Sequence, residues 1–347
     1  MILFKIFMAL ILFFLFSYLV LPQFLRRTKW GLLHPSVAQM IFLRKLIGDH
    51  IFEDDLDNFR IKLLKNIKLL EGVRTKMHRV GERSAETEDY NIPFKFYIPS
   101  DEKNLPVTIY YHGGGFICGG IKSVDTICRH IAKNQNTLVL SVEYPLAPEN
   151  RFPIPVEACY SFLTWAYKNC RAYQGDPEHI RVAGESAGGN LATIMPFLSR
   201  DRRGPKIEAQ LLFYPWVDLS NTDTESFHRY GVDYLLSYKE INWFTNLYLN
   251  EPSDALLPEV SPLLHTDFSN IPPAVIVASE FDVLHDQAFE YYQKLKIHGV
   301  PASFIEMKGM PHGALSMTGW MRHTLIGYYK SIGQALSDLL NAVISPK

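Results

Sequence analysis

The pentapeptide Gly184-Glu185-Ser186-Ala187-Gly188 sets a serine between small residues in the pattern G-x-S-x-G. The apolar run Ile180-Arg181-Val182-Ala183 precedes it, and Gly189-Asn190-Leu191-Ala192-Thr193-Ile194 reads as a helix start behind it. Strand, sharp turn and helix form the setting in which a serine hydroxyl is lifted clear of a sheet edge as a nucleophile. The bare pattern is weak, since serine and glycine are common; its neighbours give it weight. His112-Gly113-Gly114-Gly115-Phe116 follows Val107-Thr108-Ile109-Tyr110-Tyr111, a β-branched and aromatic run that predicts a buried strand. Successive glycines free the backbone to turn several N–H groups toward one point. Acyl transfer needs such donors because charge builds on the carbonyl oxygen in the tetrahedral transition state, where one donor is worth roughly 3–4 kcal/mol. A plain glycine turn or a phosphate cradle competes with this explanation. The cradle lacks support: there is no G-K-[ST], and G-x-G-x-x-G with its downstream acid is not satisfied.

A serine is a poor nucleophile without a base, and the base needs an orienting acid. In one chain order of such sites the serine comes first, then an acid, then histidine. Downstream of Ser186, Ala274-Val275-Ile276-Val277-Ala278 predicts a strand that ends in Ser279-Glu280-Phe281-Asp282. Residues 302–307 predict another, followed by Lys308-Gly309-Met310-Pro311-His312-Gly313. Asp282 and His312 thus fall on loops past the carboxyl ends of successive strands, where α/β sheets place their sites. Asp286 is the rival acid, but it stands at the start of the helix expected over residues 287–296, where a capping role accounts for it. His285 reads as a solvated residue of the same turn.

The chain resembles the hormone-sensitive-lipase-like branch of the α/β-hydrolases, which includes bacterial esterases and the arylacetamide deacetylases. The resemblance rests on His112 to Phe116, on Glu143-Tyr144-Pro145-Leu146-Ala147-Pro148-Glu149, on Arg151-Phe152-Pro153, and on residues 176–190. Ser261-Pro262-Leu263, Ile271-Pro272-Pro273-Ala274, Asp282-Val283-Leu284-His285-Asp286 and Gly309-Met310-Pro311-His312-Gly313 continue it in family order, over about residues 75 to 320. It implies Ser186 as nucleophile, His312 as base and Asp282 as orienter, with the N–H groups of Gly114, Gly115 and Ala187 as oxyanion hole. It also implies a serine carboxylesterase for short- to medium-chain esters, with aryl amides as further candidates, and no cofactor. Glu185 departs from the usual Asp or Thr, Pro145 from a common Arg, and Val283 and His285 from Pro and Arg. None of these removes a catalytic group; they leave substrate preference and support of the acid open. A catalytically inactive small-molecule receptor of the same fold is disfavoured by the presence of His312. A peptidase of a related family would carry a large extra domain for which the chain has no room.

These residues need a scaffold. Strand patterns begin near Thr75 and recur at 94–98, 107–111, 138–144, 180–183, 209–214, 274–278 and 302–307, with helices between most of the later ones. This alternation predicts an α/β-hydrolase fold with a mostly parallel eight-stranded sheet. Two segments break the rhythm. Residues 30–72 look helical, and residues 217–264 are rich in Trp, Phe, Tyr and Leu. By the resemblance both form a helical cap over the carboxyl edge of the sheet. Trp216, Phe227, Trp243, Phe244 and Tyr248 are mostly expected as packing residues of that cap, with one or two lining the pocket. The domain plan is then an N-terminal segment over 1–22, cap helices over 23–72, and a catalytic domain over 73–347 with a cap insertion at about 217–264.

Bulk properties agree. The 347 residues are 47% hydrophobic, enough for a large core, and the net charge of −1 argues against nucleic acid as a partner. The four cysteines lie between Cys118 and Cys170; they form no C-x-x-C or Cys/His cluster that would suggest a metal and are expected as free thiols. Residues 1–21 are almost wholly apolar with only Lys5 charged, long enough as a helix for a bilayer core. Bulky residues before Pro22 favour an uncleaved single-pass membrane anchor over a cleaved signal peptide. Arg26, Arg27 and Lys29 would place the catalytic domain in the cytoplasm, as would the absence of N-x-[ST] sequons. The arylacetamide-deacetylase resemblance implies the lumenal side, so the side stays open, as does the oligomeric state.

Overall fold

The computed structural model describes residues 21–47, 55–232 and 234–344. All eight expected strands form and join one sheet: β1 (Arg79–Glu86), β2 (Asn91–Ile98), β3 (Leu105–Tyr111), β4 (Leu138–Val142), β5 (Gly175–Glu185), β6 (Ala209–Phe213), β7 (Ala274–Phe281) and β8 (Ala302–Pro311). Their order is β8-β7-β6-β5-β3-β4-β2-β1. Only the pairings of β2, with β1 and with β4, are antiparallel. Strands β4 and β6 are buried at every position, Ser141 and Gln210 included, as mostly apolar strands inside a sheet covered on both faces are. β1 starts at Arg79 rather than near Thr75, and the Thr75 carbonyl accepts from Arg129 Nη1 at 3.0 Å instead of from a strand.

The helices are α1 (Pro35–Ile47), α2 (Leu56–Leu70), α3 (Asp125–Gln135), α4 (Ile154–Asn169), α5 (Ala187–Asp201), α6 (Glu225–Tyr230), α7 (Tyr238–Tyr248), α8 (His285–Ile297) and α9 (Arg322–Ile344), besides single turns. The step from β3 to β4 runs one way along the sheet, and each later crossover runs the other way. Right-handed connections therefore put α3 on one face and α4, α5 and α8 on the opposite face; α9 packs with α3. The reversal opens a crevice at the carboxyl ends of the neighbouring strands β3 and β5, where such sheets bind ligands.

The N-terminal helical reading is met by α1 and α2. In α2, Phe59, Leu63, Ile67 and Leu70 recur at helical spacing and turn one face toward that crevice. The side chain of Asp55 caps the helix, accepting from Asn58 N–H at 2.9 Å. Residues 217–264 hold α6, α7 and two 3-10 turns in place of a βα repeat. The membrane anchor does not stand. Among the described residues no helix is long and apolar enough to cross a membrane. Residues 1–20, on which that expectation rested, lie outside the described residues.

Candidate active site

The turn between β5 and α5 is built from steric necessity. Ser186 has φ 55° and ψ −123°, a sparsely populated conformation that costs of order 1–3 kcal/mol and is kept only where neighbours enforce it. The neighbours are backbone: a Cβ on Gly184 would strike the Gly188 carbonyl, and one on Gly188 would strike the carbonyls of Tyr111 and His112. The two glycines of G-x-S-x-G therefore let strand, turn and helix close on each other. Ser186 N–H donates to Phe213 O at 3.0 Å and its carbonyl accepts from Trp216 N–H at 3.1 Å, so the elbow is tied to the end of β6 and to the chain just past it.

The three residues expected from separate loops meet. His312 Nε2 lies 2.9 Å from Ser186 Oγ, and His312 Nδ1 lies 2.7 Å from Asp282 Oδ2. An ionised carboxylate can only accept, so Nδ1 carries hydrogen and Nε2 is left to accept from the hydroxyl. Asp282 is 2% exposed, and its other oxygen accepts Leu284 N–H at 3.0 Å. Asp286 is not in this series. Its Oδ2 accepts Ser226 N–H at 2.7 Å, an unpaired donor in the first turn of α6, so it caps a different helix from the one it sits on. His285 corrects the solvated reading: it lies half-buried between Asp286, at 3.3 Å, and Glu306, at 2.9 Å. Those two carboxylates outweigh burial and raise its pKa.

Above the serine, Gly114 and Gly115 have φ of 121° and 62°. The Gly114 carbonyl accepts Ile117 and Cys118 N–H, both at 3.1 Å, and the Cys118 thiol at 2.9 Å. Burial pushes that thiol's pKa far up, so it stays a neutral donor. With the carbonyl turned away, the Gly114 and Gly115 N–H groups meet no backbone acceptor among the described residues. Ala187 N–H, at the start of α5, has no partner inside its own helix. Burial holds His112 down to about pH 4, and its ring stacks on Tyr144 with centroids 4.2 Å apart.

Several functional neighbours carry no sequence signal. Glu185 Oε2 accepts Tyr214 O–H at 2.9 Å and Oε1 faces Gly113 N–H at 3.5 Å, so the departure from the usual residue braces one loop against another. Burial raises the Glu185 pKa. The Tyr214 ring meets His312 edge-on at 4.9 Å. The pocket over Ser186 has a volume of about 170 Å³ and is walled by Phe59, Leu63, Ile67, Leu236 and Phe244. Of the five aromatic residues expected in the cap, Phe244 reaches it; Trp216, Phe227 and Tyr248 are buried elsewhere. Among the described residues no group of His, Cys, Asp and Glu could hold a metal, and all four cysteines are free and buried.

A parallel sheet with one antiparallel strand, a strained turn after β5 and helices on both faces define the class: this is an α/β-hydrolase. A family model described as the alpha/beta hydrolase fold matches residues 108–316. An arylesterase of Saccharolobus solfataricus is 33% identical over 253 residues, 73% of this chain and 81% of that protein. The carboxylesterase NlhH of Mycobacterium tuberculosis is 35% identical over 245 residues, 68% of this chain and 75% of that protein. A hyperthermophilic esterase from the archaeon Pyrobaculum calidifontis superposes with a TM-score of 0.81 at 32% identity, covering 90% of this chain and 99% of its own. The chain belongs to the hormone-sensitive-lipase-like esterase family of the α/β-hydrolases.

Proposed function

We propose that this chain, a carboxylic ester hydrolase, works through an acyl-enzyme on Ser186. His312 Nε2 takes the hydroxyl proton as Oγ attacks the ester carbonyl, and Asp282 holds the imidazole in the tautomer that can accept it. The N–H groups of Gly114, Gly115 and Ala187 receive the developing oxyanion. His312 then gives the proton to the departing alkoxide, which leaves as alcohol. A water attacks the acyl-enzyme with His312 again as base, and the acid and free Ser186 are released. The observation that carries this reading is the continuous series of Ser186, His312 and Asp282 at 2.9 and 2.7 Å.

The substrate class follows from the pocket. Residues 23–72 and about 217–264 act as a cap, and the space of about 170 Å³ they leave is small and mostly apolar-walled. Pockets for drug-sized ligands are roughly 300–1,000 Å³ in volume, so this smaller one suits acyl groups of short to medium length and not long triglycerides. Esters of graded acyl length, given to the native chain and to Ser186→Ala, test both points. The native chain prefers the shorter half of the series, and the variant loses about 10³–10⁶ in kcat. Undiminished turnover by the variant, or a preference for long-chain emulsions, overturns the reading.

A further inference from the structure

Arg60, on α2, is joined by four hydrogen bonds to elements far from it in sequence. Its Nε donates to Ile117 O at 2.7 Å and its Nη2 to Ala147 O at 2.9 Å. Nη1 and Nη2 grip the two carboxylate oxygens of Glu149 at 2.7 and 2.8 Å. Bidentate pairs of this kind fix orientation as well as charge, and the contact holds Glu149 down at a pKa of about 2. Ala147 N–H donates in turn to Phe116 O at 3.0 Å, and the N–H groups of Ile117 and Cys118 hold Gly114 O. A single guanidinium thus pins both strands of chain that fold around Gly114 and Gly115. The preceding residue, Phe59, walls the pocket.

We propose that Arg60 is a positioning residue for the oxyanion hole: it fixes the loop of Gly114 and Gly115 from the N-terminal helix, without touching substrate. This rests on the oxyanion reading above. A lost clamp lets the loop drift, and a shift of about 1 Å in a catalytic element costs up to ~100-fold in rate. The loss falls on interactions made in the transition state, so kcat falls and KM holds. A wall residue would do the opposite, and a purely structural one would move stability alone.

The test compares the full chain with Arg60→Met and Arg60→Lys. Active sites are counted with a fluorophosphonate; p-nitrophenyl acetate gives kcat and KM, and phenylboronic acid mimics the tetrahedral adduct. Arg60→Met is expected to lower kcat per labelled site by roughly 10- to 100-fold, to weaken the boronate by a similar factor, and to leave KM within about threefold. Arg60→Lys keeps a charge beside Glu149 but not the fork; it is expected to restore thermal stability and not rate. If Arg60→Met does not fold, Arg60→Lys carries the test. Unchanged kcat per labelled site, a rise in KM alone, or rate recovered in step with stability in Arg60→Lys overturns the proposal. Failure of the native enzyme to label at Ser186 overturns the site reading instead.

Discussion

Beneath the pocket, Ser186, His312 and Asp282 are joined by directional bonds of 2.9 and 2.7 Å, each directly after the last residue of a sheet strand. Above it, Phe59 meets Trp243 and Phe244 as rings with centroids 5.1 and 5.9 Å apart, and Phe244 rests on Gly115. Hydrogen bonds to charged groups fix angle and distance, whereas ring contacts gain from area and tolerate exchange of shape. On the proposed function, the lower region carries the reaction and the upper region selects which molecules reach it. A substitution below should change rate by orders of magnitude, and one above should change preference by modest factors.

The sharpest break of this comparison is at the two acids. Asp282→Asn is expected to lower kcat by about 10⁴, because only an acceptor at His312 Nδ1 keeps the productive tautomer. Asp286→Asn should leave kcat within tenfold, since Asp286 bonds α6 rather than the imidazole. Steady-state kinetics on the two variants decide it, and the reverse ranking moves the orienting role to Asp286. In the upper region, Phe244→Ala is expected to raise the ratio of kcat/KM for a longer ester to that for acetate by roughly tenfold, the worth of one or two methylenes in an apolar pocket. A fall in kcat for every ester alike would show that the wall serves the chemistry.

The smallest effect is on pH. His112 sits at about pH 4 in the fold because burial disfavours its charge, against about 6.5 in an unfolded chain. Between those values unfolding takes up a proton. The stability that the neutral ring contributes is complete above about pH 6.5 and is lost as pH falls toward 4, with a slope approaching about 1.4 kcal/mol per pH unit. Urea unfolding of His112→Gln across pH 4–7 should show that one-proton slope removed. An unchanged slope would mean the ring is charged in the fold.

The sequence carries the lower region well and the upper region poorly, for one physical reason. Ser186, Asp282 and His312 each stand just past a strand with a period or an apolar run of its own, and glycines mark the backbone that must approach closely. All eight strands are legible this way. The Glu185–Tyr214 bond joins residues 29 apart and the Arg60–Glu149 pair residues 89 apart, and no local pattern announces either. His285 shows the same gap: its turn is readable, but the carboxylate of Glu306 on the next strand is not. The apolar length of residues 1–21 suggested an anchor by hydropathy alone, which no helix among the described residues matches.

Asn190, one turn beyond the elbow, donates its side-chain amide to Trp216 O and to Val260 O, both at 2.7 Å. Those carbonyls stand where the chain leaves the β6 region and where it comes back, so one buried amide cinches the neck of a loop more than forty residues long. The two ends of that loop are thereby held beside the helix that follows the serine, and the loop itself is tied to the chain around Asp282 through Ser226, which bonds Val283 O and Asp286. The segment is a cassette, with Asn190 as its clasp. Grafting a different stretch there is expected to give a new substrate range through the loss of Leu236 and Phe244, provided that Ser226 and its bonds to Val283 and Asp286 are kept.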